Sequence, residues 1–311
     1  MSESGLVTLR DYIRWSVSQF SREQLFFQGG EESVFEEARA LVLGSLYLPE
    51  QLHDKYLDCN LHTDEHVVVQ SILRKRIEQR IPSAYLLGRA WFAGLSLQIN
   101  ESVAIPYSPL EELIPQRFAP WLIQSPQRIL DLYTGSGCAG LACAMHFPNA
   151  QEVVLADDCA AALDLAAENI TAHNLDQRVT VQYSELFSQF CGQRFDLIVC
   201  KPPYLSVEQW TQLPREMHYE PQASTIAKNG GLESIQLILQ QACDHLTDEG
   251  LLVLEVGPHR AHLSALYSDI DFTWLEHSYT DRDVLALTAQ QCSQYRVLST
   301  SDGLARSNPD Q

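Results

Sequence analysis

The sequence predicts an α/β chain in which a mostly parallel sheet, ending in an antiparallel hairpin, follows a small helical domain. Three observations carry this. Strand-like and helix-like runs alternate from Arg128 onward, as βαβ units require. The last two strand-like runs, 272–279 and 283–288, are joined too closely to lie parallel. The first eighty or so residues place apolar side chains at helical spacing instead.

Taken in order, Leu9, Tyr12, Ile13, Val17 and Phe20 mark a first helix, and Phe35, Ala38, Leu41, Val42 and Leu46 a second. Gly29-Gly30 separates them and Pro49 ends the second. A third helix over 65–79 turns Val68, Ile72 and Ile77 inward. Residues 91–106 alternate like a short hairpin. Strands follow over 128–133, 152–157, 179–184, 195–200 and 251–257, with helices over 160–173 and 232–245. These give a helical domain over 1–90, a hairpin linker over 91–110, an α/β domain over 111–299 and a polar, disordered tail over 300–311.

Forty acidic residues against 21 basic ones give a formal net charge of −19. That field repels phosphate backbones and disfavours direct binding to nucleic acid, while it attracts a basic protein partner. Plain solubility explains the same excess. None of the eight cysteines lies in a CxxC pair, their spacing matches no zinc site, and no metal is expected. Cys143 and Cys200 sit in apolar runs as small hydrophobes, which fits a reducing cytoplasm. Ser2-Glu3-Ser4 lacks the basic start of a signal peptide, and no apolar run reaches membrane-spanning length, so no membrane association is expected.

The cofactor signal is the run from Asp131 to Gly140, DLYTGSGCAG, which leaves the first parallel strand and enters a helix near Cys138. Gly135 and Gly137 let a ligand approach the main chain, and the helix start behind them favours a negative group. Asp157 ends the second strand, where a carboxylate can accept from both hydroxyls of a ribose. Gly135, Gly137 and Gly140 also satisfy GxGxxG, so the loop alone leaves a nicotinamide dinucleotide open. The mid-chain position of the loop and the terminal hairpin point instead to S-adenosylmethionine. Glu185, after the third strand, is placed either to accept from an adenine amino group or to act as a solvated cap.

After the fourth strand comes CKPPYLS. Pro202 and Pro203 stop pairing and stiffen a loop at the carboxyl edge of the sheet, where open α/β folds bind ligands. Exposed carbonyls and the Tyr204 ring could there hold a planar amide, or the loop could be a rigid turn over a core tyrosine. Among the histidines, His259 and His262 suit a solvated helix face, and His146 and His245 suit helix ends that welcome positive charge.

The KPPY run resembles the (N/D/S)PPY motif of amino-methyltransferases. The chain as a whole resembles the protein N(5)-glutamine methyltransferases, in the branch that modifies large-subunit ribosomal protein L-three. The likeness runs through YIRWSVSQF (12–20), LVLGSLYLP (41–49), RIPSAYLLGRAWFAG (80–94), DLYTGSGCAG, YEP (219–221) and EVG (255–257). It implies a helical substrate-recognition domain joined to a class I S-adenosylmethionine-dependent methyltransferase (Rossmann-like) sheet. It further implies that Thr134, Gly135, Ser136 and Gly137 hold the methionine part of S-adenosylmethionine, Asp157 its ribose and Glu185 its adenine, with Asp131 also on the cofactor side. Lys201, Pro202, Pro203 and Tyr204 would surround the acceptor amide, with Tyr85, Tyr107 and Glu220 on the substrate side.

The chain departs from that pattern at three places. Lys201 stands where the family has asparagine, Tyr107 where it has arginine, and Lys228-Asn229-Gly230-Gly231 where it has G-x-D-G. A charged lysine offers three donors and no acceptor, so it cannot supply the asparagine oxygen. Two alternatives therefore stay open: a non-catalytic member that binds cofactor or ribosomal protein, and a methyltransferase for another substrate. Lys201 itself is expected to turn to solvent or to meet an acidic group.

Overall fold

The structure, a computed structural model, describes residues 5–28 and 33–295. The Gly29-Gly30 break and the 300–311 tail lie outside the described residues. The chain divides into two units. Of the described residues, one unit holds those up to Arg89 together with Leu213–Tyr219, and the other holds Ala90–Gln212 and those from Glu220 onward.

The helical unit contains α1 (Leu9–Arg22), α2 (Ser33–Ser45), α3 (Thr63–Arg74) and α4 (Ser83–Leu87), with a π-helical stretch Lys75–Gln79 continuing α3. A capping box closes the start of α1: Thr8 accepts from the Asp11 N–H, and Asp11 accepts from the Thr8 N–H. The inward faces differ from two expectations. Val34 rather than Phe35 joins Ala38, Leu41 and Val42, and Phe35 is exposed. On α3, Val69 and Leu73 face in and Val68 faces out. A run of three valines does not fix the phase of a helix, and the choice falls to the row that continues onto Arg76. Arg76, 1% exposed, donates through Nε to Glu37 at 2.6 Å and through Nη2 to the Phe26 carbonyl at 2.9 Å. Its Nη1 stands 3.4 Å from Glu216, within the Leu213–Tyr219 segment. Burial pushes the Glu37 carboxyl up. Burial also pushes Glu216 up, but donation from the Phe26 N–H and from Arg80 outweighs it, and Glu216 stays below the usual range.

In the second unit a hairpin of β1 (Arg89–Phe92) and β2 (Leu95–Gln98) precedes α5 (Leu110–Leu113), so pairing stops at Gln98 and 99–109 runs irregular. The main elements then alternate: β3 (Arg128–Leu132), α6 (Cys138–His146), β4 (Glu152–Asp157), α7 (Ala160–Ala172), β5 (Val179–Tyr183), β6 (Phe195–Cys200). After α8 (Val207–Thr211) come α9 (Glu233–His245), β7 (Leu246–Gly257), α10 (Arg260–Leu266), β8 (Thr273–Trp274) and β9 (Asp283–Thr288). The sheet order is β5-β4-β3-β6-β7-β9-β8. The β3, β4, β5, β6 and β7 pairings are parallel, and β9 runs antiparallel to both β7 and β8.

The inner parallel strands β3, β4 and β6, and β7 from Gly250 onward, are buried on both faces, whereas β5 at the sheet edge buries Val179 and exposes Thr180 to Tyr183. Ile129, Val153, Leu155, Leu197 and Val199 face α6 and α7, whereas Leu130, Leu132, Val154, Ile198 and Leu252 face α9. This is why the inner strands read as predominantly apolar runs, while VTVQY of the edge strand β5 does not. Because β4 and β5 build outward from one side of β3 and β6 and β7 from the other, the strand order reverses between β3 and β6. A crevice opens there at the carboxyl ends.

Candidate active site

β3 ends at Leu132 because Tyr133 turns into the left-handed region (φ 55°). Gly135 (φ 54°) and Gly137 (φ 84°) continue the turn, and Gly137 caps α6. Asn169 fixes the loop from behind. Its buried amide donates to the Ser136 carbonyl (2.9 Å) and the Gln98 carbonyl (3.0 Å) and accepts from the Gln98 N–H (2.7 Å). Gly140 lets α6 lie against the sheet: a Cβ there would stand 2.1 Å from Leu155 Cδ2.

A cleft of about 120 Å³ opens above these elements. Tyr133, Thr134, Gly135, Ser136 and Cys138 line it from the glycine loop, and Asp157, Asp158 and Cys159 from the end of β4. Lys201 and Pro203 come from the loop after β6, Ser102, Ala104, Ile105 and Pro106 from the segment after the hairpin, and Pro221, Ala223 and Ser224 from the loop after Glu220. Sequence reasoning missed Ser102, Ala104 and Ile105, which it took as part of an alternating hairpin, and Ala223-Ser224, which carry no periodic or charged signal.

Asp157 accepts from the Gly135 N–H through Oδ2 (2.9 Å) and from the Cys159 N–H through Oδ1 (3.0 Å). Each oxygen keeps a lone pair, and the carboxylate borders the cleft. Burial pushes its pKa up, and the two N–H donors restrain the rise. Asp131 does not line the cleft. It lies beneath the loop, accepting from Thr134 Oγ1 (2.5 Å) and the Gly140 N–H (2.8 Å), and burial raises its pKa to about 7. Burial pushes the Cys138 thiol up to about 12, so it is no nucleophile at neutral pH.

Lys201 turns neither to solvent nor to an acidic group. It is half-buried, and its Nζ donates to the Tyr107 carbonyl at 2.9 Å. This bond holds the ammonium in the cleft wall. Tyr204 points away from the cleft. Its ring lies against Gly257, where a Cβ would come within 2.5 Å, and its hydroxyl donates to Glu255 Oε1 at 2.8 Å. Tyr107 is half-buried, with Arg282 4.8 Å above its ring and the Tyr279 ring 4.8 Å away.

Residues 116–270 match the family described as "Methyltransferase small domain". The ribosomal protein uL3 glutamine methyltransferase of Francisella tularensis is 38% identical over 295 residues, covering 94% of this chain and 94% of the relative. That of Bordetella pertussis is 35% identical over 289 residues, covering 92% and 96%. The chain belongs to the ribosomal protein uL3 glutamine methyltransferase family. Among solved structures, the hMettl16 catalytic domain in complex with MAT2A 3′UTR hairpin 1 shares the fold. Its TM-score is 0.51 at 18% identity, over 76% of this chain and 84% of that one.

Within this uL3 glutamine methyltransferase family member, the cleft brings together Thr134, Gly135, Ser136, Asp157, Lys201 and Pro203. It does not include Glu185, which is exposed after β5, nor Tyr85, half-buried on α4 of the helical unit. Gly137 packs on Leu155 and Leu141 behind the loop, Pro202 is buried, and Glu220 is buried and partnered beside the lining residue Pro221. His259 is no solvated residue: it is 6% exposed, and its Nε2 bonds the Tyr204 carbonyl at 2.7 Å. At its helix end His245 is not the solvated cation expected there. It is buried and stacked on Phe187, and burial lowers its pKa. Among the described residues no helix is long and apolar enough to cross a membrane.

Proposed function

We propose that this chain transfers the methyl group of S-adenosylmethionine to a glutamine side-chain amide of ribosomal protein uL3. The observation that carries the cofactor reading is the Asp157 carboxylate at the cleft edge. The Gly135 and Cys159 N–H groups hold it there with lone pairs left to accept from a vicinal diol. Main chain at Thr134, Gly135 and Ser136 borders the same cleft and would take the methionine part. When bound, S-adenosylmethionine supplies an electrophilic methyl group on a sulfonium.

The residues around the acceptor have a harder task, because an amide nitrogen shares its lone pair with its carbonyl. Holding the reacting atoms in near-attack geometry is worth about 7–11 kcal/mol and is the main lever available here. Lys201 has no acceptor atom to give, so the carbonyls of the rigid Lys201-Pro202-Pro203 turn take the amide hydrogens. The tie to the Tyr107 carbonyl keeps the ammonium from competing for them. The acidic excess of the chain would draw a basic ribosomal protein to this cleft. The free cysteines, several of them buried as small hydrophobes, suit a meeting in a reducing cytoplasm.

The test is methyl transfer from labelled S-adenosylmethionine to isolated uL3, with mass spectrometry to locate the label. Label on one glutamine is expected. No transfer, with the Francisella tularensis relative active in parallel, would overturn the reading in favour of a binding protein or another acceptor.

A further inference from the structure

Glu255 lies on β7 with no exposure and touches none of the cleft, yet both walls of the cleft end on it. Its Oε2 accepts from Ser108 Oγ at 2.5 Å, two residues beyond the lining residue Pro106. Its Oε1 accepts from the Tyr204 hydroxyl at 2.8 Å, one residue beyond the lining residue Pro203. Arg282 Nη1 stands 3.3 Å from Oε1 and also contacts the Tyr204 hydroxyl, so the buried charge is matched. Tyr204 has no freedom to leave. Gly257 sits under its ring, and Gly231 and His259 close on its carbonyl, where a Cβ at Gly231 would come within 2.1 Å. A carboxylate placed in a core could be satisfied by one cation. This one instead gives one oxygen to each wall, which fixes the spacing between them.

We infer that Glu255 is a positioning residue for methyl transfer: by holding Ser108 and Tyr204 on its two oxygens it sets the separation of the Pro106 and Pro203 walls. The acceptor amide is thereby posed without contact from Glu255. The kinetic consequence rests on the proposed amide methylation, whereas the spacing itself does not. Ser108 and Tyr204 act through the same group, so their effects are not independent. Lys201 reports the spacing directly, because its Nζ reaches across to the Tyr107 carbonyl, next to Ser108.

The experiment compares the full chain with Glu255→Gln, Ser108→Ala, Tyr204→Phe and the Ser108→Ala/Tyr204→Phe double variant. One readout needs no activity: acylation of Lys201 by an N-hydroxysuccinimide ester, quantified by mass spectrometry against the exposed Lys55 and Lys228. Glu255→Gln is expected to speed labelling of Lys201 at least threefold and leave the other two unchanged. On uL3, kcat is expected to fall tenfold or more, with KM and S-adenosylmethionine affinity kept within twofold. The double variant should match the worse single one. Unchanged Lys201 labelling would overturn the inference, as would multiplying single effects or a parallel loss of cofactor affinity. If Glu255→Gln fails to fold, Ser108→Ala and its double variant decide on the same criteria. A wild-type chain inactive on uL3 sinks the proposed function alone, and the labelling still decides the role of Glu255.

Discussion

Replacing Lys201 by Asn tests the chemistry of the cleft most directly. The substitution removes three donors and restores one oxygen that can accept an amide hydrogen. One such hydrogen bond contributes about 1 kcal/mol net, which corresponds to about fivefold in rate. Removing a cation from the neighbourhood of a sulfonium acts in the same direction. Against this, the bond from Nζ to the Tyr107 carbonyl is lost. A half-buried charge-assisted bond of that kind is worth roughly 1.5 kcal/mol, or about 3–6 °C in thermal midpoint for a unit of this size. The Glu255 bridge still spans the two walls in the variant. Initial rates of label transfer to uL3 at saturating S-adenosylmethionine should therefore rise about fivefold or more while the midpoint falls. A variant that loses stability and also loses rate would refute the reasoning. Lys201 would then be a participant in the transfer, and the turn carbonyls would not be the acceptors.

Three further outcomes are expected. Asp131 has its folded pKa raised to about 7 from an ordinary 3.8, so the folded state keeps a proton that the unfolded chain gives up above about pH 4. Its contribution to stability is present below about pH 4 and lost as pH rises to about 7. Asp131→Asn should flatten a fall on the order of 4 kcal/mol in denaturant titrations run across that window. Gly140→Ala forces a methyl group to 2.1 Å from Leu155 Cδ2 and 3.0 Å from Asp131 Oδ2, and should cost about 1–3 kcal/mol or more in the same titrations. Glu216→Ala strips an acceptor from the Phe26 N–H and one of two carboxylates from buried Arg76. Hydrogen exchange in α1 to α3 should speed up by an amount equivalent to about 2–3 kcal/mol, because the Glu37 partner remains.

Much of the sheet was legible in the sequence, and for a physical reason. Strands covered on both faces have no solvent-facing polar side, so LIVC at 197–200 stands out as a continuous apolar run, and ILDL at 129–132 is broken only by Asp131, whose carboxylate is used beneath the glycine loop. The glycine loop and Asp157 were legible because each meets a local geometric demand, a positive φ or a strand end. What escaped was whatever depends on distant partners. Ser108, Glu255 and Arg282 are ordinary polar residues until the fold brings them to within 3.3 Å of one another's partners across 147 and 27 residues of chain. Asn169 had a faint local sign, an amide on the buried side of an otherwise alanine- and leucine-rich helix. Tyr204 misled for the opposite reason. The motif fixes that a tyrosine follows two prolines, whereas the direction of its ring is decided by the space above Gly257.

The return of Leu213–Tyr219 to the helical unit makes the chain's two parts inseparable by any single cut. Expressed as residues 1–89, the helices would carry Arg76 and Arg80 without Glu216, and Gln79 without the Tyr219 hydroxyl that donates to its carbonyl at 2.7 Å. The remainder would keep a strip of chain whose own packing partners had been removed. Gene fusions and exchanges within this family that treat the first ninety residues as a portable module would thus transplant an incomplete one. A faithful exchange has to carry both pieces at once.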